Sequence, residues 1–153
     1  YHTDAGRVVR GGGGIRPDVI VHADSTTADD RRFLKALGDH FGAFRDAVTA
    51  YALSLRDGAP PRLSPDFSVT PAMRLAVRER LRQKGVTMSD ADWTAGRSLV
   101  DLWVTADVAR YLFGRETELR RRAAADPQMQ AALRLLGGAA DPKALFAAAA
   151  AGR

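Results

Sequence analysis

The chain contains no cysteine, which excludes disulfides, thiolate nucleophiles and cysteine-ligated metals, zinc fingers included. Its redox compartment stays open. Lysine is scarce as well: Lys35, Lys84 and Lys143 stand against a combined Lys and Arg total of 23. Together with the alanine content, that preference fits a high-GC genome, which raises the pI to 10.2 without any partner. Histidine is limited to His2, His22 and His40. No two of them have the i,i+3 or i,i+4 spacing that would aim two imidazoles at one metal from a helix face. No metal or other cofactor is expected. No apolar run approaches the roughly 20 residues that a bilayer-spanning helix needs, the longest small-residue run being Ala147 to Ala151. No repeat at a fixed period is present.

Net charge is +5, and Arg115, Arg120, Arg121 and Arg122 form the densest basic cluster. Glu116, Glu118 and Asp126 interleave with them, and no aromatics are placed among them for base stacking. The cluster reads as a solvated helix face, and nucleic acid is not expected as a partner.

What is present begins with period-two patterning. Val8 and Val9, then Gly11 to Gly14, then Val19 to Val21 read as two strand-like pieces joined by a glycine run. An isolated two-stranded unit is marginal in water, so these pieces are expected to belong to a larger sheet. The chain opens on Tyr1 rather than Met, and it is expected to start within a longer protein. The glycine run lacks the Lys-Ser/Thr pair and the following helix of a phosphate-binding loop; Pro17 and a strand-like run follow instead. It reads as a tight connection, for which glycine supplies positive φ or room for a close approach.

From Asp29 the period changes to about 3.6. Phe33, Leu37, Phe41, Phe44, Val48, Tyr51 and Leu55 make one stripe, which predicts a single long helix ended by Gly58-Ala59-Pro60-Pro61. Thr70-Pro71 opens a second helix, through Met73, Val77 and Leu81 to a stop at Gly85. Ser89 to Asp92 open a third, with Trp93, Val100, Trp103, Val104, Val108, Tyr111 and Leu112, reaching Gly114 and continuing toward Arg122. It should pack against the first. Asp126-Pro127 and Asp141-Pro142 start the last two. The expected fold is mainly α: a short N-terminal β segment followed by a bundle of about five helices. The expected boundary divides residues 1–24 from residues 25–153. At 153 residues, 46% of them hydrophobic, the chain can bury a core of its own.

Groups that could carry chemistry are few. Ser25, Thr26 and Thr27 lie beside Asp24 and Asp29, yet no base is placed for a serine nucleophile, and helix capping accounts for them equally well. Asp90, Asp92, Asp101 and Asp107 read as solubility and capping groups, the last two on different helix faces. The aromatics recur at helical spacing and read as core. No catalytic residue is assigned.

The segment Tyr1-His2-Thr3-Asp4-Ala5-Gly6-Arg7-Val8-Val9-Arg10-Gly11-Gly12-Gly13-Gly14-Ile15-Arg16-Pro17-Asp18-Val19 resembles a stretch of the carboxyl-terminal processing (tail-specific) serine peptidases. There the pattern runs Tyr, x, Thr, two residues, Gly-Arg, then Gly-Ile-x-Pro-Asp. The helical remainder resembles the extension carried by members with a four-glycine turn. The resemblance implies a cell-envelope, periplasmic endopeptidase with a serine nucleophile and a lysine base. It further implies a PDZ domain of the same protein that helps recruit unfolded or C-terminal protein segments. In the family both catalytic residues precede this stretch, so neither falls on a position of this chain. Residues 1–24 would then be closing strands of the peptidase core. Gly11, Gly12, Gly13, Gly14, Ile15, Pro17 and Asp18 would set a structural turn, with Asp18 tying it. The helical domain would dock on that core or regulate access to it. The alternative is an independent helical module that binds another protein or a second copy of itself.

Overall fold

A computed structural model of the chain describes residues 19–22, 26–57 and 63–151. They are mainly α, with no strand among them. In chain order the elements are α1 (Ala28–Leu37), a 3-10 turn (Gly38–His40), α2 (Phe41–Asp57), α3 (Pro71–Gln83), α4 (Asp90–Ala95), α5 (Arg97–Phe113), α6 (Arg115–Ala125), α7 (Pro127–Gly137) and α8 (Pro142–Ala151). Two compact units result: Asp24–Asp126 is one, and Tyr1–Ala23 with Pro127–Arg153 is the other.

Helix starts in the larger unit follow from side-chain oxygens that satisfy backbone donors left over in a first turn. Thr27 accepts from the Asp30 backbone N–H, and the Asp30 carboxylate accepts from the Thr27 N–H, both at 3.0 Å. This reciprocal pair is worth about 1 kcal/mol. At α3, Thr70 accepts from the Met73 N–H at 3.3 Å. The Met73 thioether takes the place of a carboxylate, accepting from the Thr70 N–H at 3.4 Å. Helix α3 stops as its sequence requires. Gly85 N–H donates to Arg82 C=O at 2.9 Å and Val86 N–H to Leu81 C=O at 3.2 Å, a Schellman closure sealed by burial of Val86.

The long helix expected over 29–55 is two helices. Gly38 turns the chain at φ +52, a left-handed value that costs other residues about 1 kcal/mol or more. The segment expected as one helix from Ser89 toward Arg122 is three, broken at Gly96 and at Gly114, where φ is +91. The stripe nevertheless points where its period puts it. Phe33, Leu37, Phe44, Val48 and Tyr51 are buried with Val77, Leu81, Val100, Val104 and Val108. Phe41 departs from it: the 3-10 turn shifts its phase and leaves it 40% exposed, its ring centroid 6.2 Å from that of Trp103.

Helix α5 packs on α2, as the two apolar stripes require, and also on α6, while α2 packs on α3 and α1 on α4. Phe33 is the hub of this core. Its ring meets Phe44 edge-on at 5.5 Å and Trp93 at 6.1 Å, each such pair adding about 1 kcal/mol beyond area burial. Gly96 makes the fit possible. A Cβ built there would stand 2.1 Å from Phe33 Cδ2, so glycine is required at this site for space.

In the smaller unit the described residues are 19–22 and 127–151. Asp141 caps α8, its carboxylate accepting from the Ala144 N–H at 2.8 Å. Val19 to Val21, expected as strand-like, form no strand, for no described residue pairs with them as a ladder. Val21 C=O instead accepts from Gln128 Nε2 at 2.9 Å. Val8 and Val9 lie outside the described residues.

Candidate functional site

The turn motif proposed from sequence, Gly11 to Gly14 with Ile15, Pro17 and Asp18, lies outside the described residues, as do His2 and Ser25. Thr27 is a helix cap. His22 is exposed and His40 sits exposed in the 3-10 turn. Among the described residues no group of three or more His, Asp or Glu side chains could hold a metal ion. No described helix is long and apolar enough to cross a membrane.

Ionic chemistry concentrates instead on α5. Asp107, read from sequence as a solubility or capping group, is 6% exposed. Its carboxylate accepts from Thr49 Oγ1 at 2.7 Å and from Arg45 Nη2 at 3.1 Å, both reaching over from α2. The Arg45 guanidinium also lies 4.0 Å from the Trp103 ring centroid. Such stacking is worth about 1 kcal/mol or more as water is excluded. Arg45 Nη1 is buried without a partner among the described residues. The correction has a physical reason: a carboxylate in the middle of a core helix can be buried only if a cation and a hydroxyl accompany it.

Six residues earlier on α5, Asp101 takes a two-pronged contact from Arg74 of α3, with Nε at 2.6 Å and Nη2 at 2.8 Å. Arg74 Nη2 also donates to Val69 C=O at 3.0 Å, tying down the residues before α3. The expectation that Asp101 and Asp107 face different ways is met: one clamps α3 and the other α2. Asp92 at the start of α4 is bonded by Ser89 and, at 2.7 Å, by Arg32 of α1. The Ser89 hydroxyl first and then Arg32 hold its carboxyl below the usual aspartate range. Burial pushes the Tyr51 phenol up, against the opposing pull of Arg80.

The arginine cluster of α6 is more engaged than a solvated face. Arg121 donates to Phe67 C=O at 2.7 Å and lies 5.0 Å from the Phe67 ring centroid. Arg122 pairs with buried Glu118 at 3.0 Å, and Arg120 reaches Asp66 at 3.6 Å. Arg120 and Arg121 thus fasten the loop before α3 to α6, while the Arg122–Glu118 pair lies within α6. Their partners are 54 residues apart in the Arg121 case, so local spacing could not reveal them.

Among the described residues, two surface depressions stand out. One of about 420 Å³ is bounded by Asp29, Arg32, Asp90 and Thr94. The other, about 320 Å³, lies between Val19–Val21 and the Gln128, Ala131, Ala132 and Leu135 positions of α7. The Asp107 carboxylate is engaged by Arg45 and Thr49 and lines neither of these two depressions. It holds helices together.

Among the described residues the geometry therefore defines a mainly helical module in which Arg45–Asp107 and Arg74–Asp101 act as cross-helix ties. Comparison with family models, with curated proteins and with solved structures returns no match for this chain.

Proposed function

We propose that the chain is the C-terminal portion of a serine endopeptidase of the carboxyl-terminal processing type. Its helical part docks on the peptidase core and performs no chemistry itself. The nineteen-position pattern from Tyr1 to Val19 supports the family reading. The observation that carries the docking role is the contact between Val21 C=O and Gln128 Nε2 at 2.9 Å. Residues 19–21 are the end of the motif and the residues directly after it, and it is α7 of the C-terminal region that receives them. On this reading the nucleophilic serine and the lysine base belong to the upstream core. That lysine acts as a base only where its surroundings lower its pKa. The partners are then the peptidase core and PDZ domain of the same protein, in the cell envelope, and the substrates are unfolded or C-terminal protein segments.

The test is proteolysis of an unfolded substrate by three proteins: the complete reading frame, the same protein with its upstream candidate serine changed to alanine, and this chain alone. Cleavage by the first only is the expected result. Inactivity of all three, with folding verified, overturns the peptidase reading; contaminant-free cleavage by this chain alone overturns the statement that it performs no chemistry itself.

A second reading, self-association, is favoured by Leu133 and Leu136 of α7, which are 52% and 59% exposed. Sedimentation over a hundredfold range of concentration separates the two. A mass that rises with concentration, and falls back when both leucines are replaced by glutamate, supports self-association; a constant monomer mass removes it.

A further inference from the structure

We draw no further inference here: the strongest candidate, the apolar cleft between Val19–Val21 and the Ala131, Ala132 and Leu135 positions of α7, carries nothing because nothing in the structure shows what covers it.

Discussion

The two compact units differ in how their apolar residues are used. In Asp24–Asp126, Phe33, Phe44, Val48, Val100, Val104 and Val108 are fully enclosed, and charged ties on α5 flank them. In the other unit, Ala149 is the only buried apolar side chain among the described residues. Leu133, Leu136 and Phe146 there remain substantially exposed. The described residues of the smaller unit also form helices with regular apolar spacing, so spacing alone does not make a core. A core needs a second apolar surface at the right distance, which α5 supplies to α2. The larger unit should consequently dominate the stability of the chain.

Truncating the hub tests that difference most severely. Phe33→Ala removes a fully enclosed ring and should cost about 3–5 kcal/mol, read as a lowered midpoint in urea unfolding. A change below about 1 kcal/mol would mean that the core has been wrongly located. Gly96→Ala probes the same place by addition. With a Cβ 2.1 Å from the Phe33 ring, either the ring or α4 must shift, at about 1–3 kcal/mol. Calorimetry of this variant beside Gly42→Ala, where an added Cβ meets nothing within 4 Å, supplies the internal control.

How far the sequence discloses these features depends on the distance over which each is determined. The apolar stripes, the Thr70 cap and the stop at Gly85 are local, and all were legible; of Ser25, Thr26 and Thr27, each open to a capping role, Thr27 is the one that caps α1. The break at Gly38 was not, since Phe33, Leu37, Phe41 and Phe44 step by four, four and three, a phase that an unbroken helix shares. The break at Gly96 was equally hidden, because one helix was expected from Ser89 to Gly114 and nothing nearby announces an aromatic ring above that glycine. The Asp107 tie was illegible for a plainer reason: Arg45 lies 62 positions away, and only the pairing of α2 with α5 brings them together. The turn motif was the clearest signal in the sequence, and it lies outside the described residues.

A pH series sharpens the contrast with a smaller effect. Burial raises the Tyr51 phenol above its unfolded value of about 10. Below that pH the phenol is protonated in both states and its contribution is complete. As pH rises through the unfolded value toward the raised folded one, the unfolded chain sheds its proton first, and stability falls. Tyr51→Phe should therefore flatten the alkaline limb above about pH 10 while leaving the acid limb unchanged. An unaltered alkaline limb would show that other groups govern it.

The smallest effect should come from α7. Replacing Leu133 and Leu136 by serine in the isolated chain should move the main unfolding midpoint by no more than about 0.5 kcal/mol each, as for exposed positions generally. A loss comparable to that of Phe33→Ala would abolish the contrast between the units and place a hidden core around α7.

Both tryptophans of the chain, Trp93 and Trp103, belong to Asp24–Asp126. One ring stands edge-on to Phe33 and the other lies beneath the Arg45 guanidinium. Indole emission is thus a one-sided optical probe. It reports the Phe33 core and the Arg45 stack, and it is blind to melting of α7 and α8, whereas far-ultraviolet ellipticity sums over every helix. Any lag between the two signals during denaturation reads out, without a label, how independently the C-terminal helices unfold.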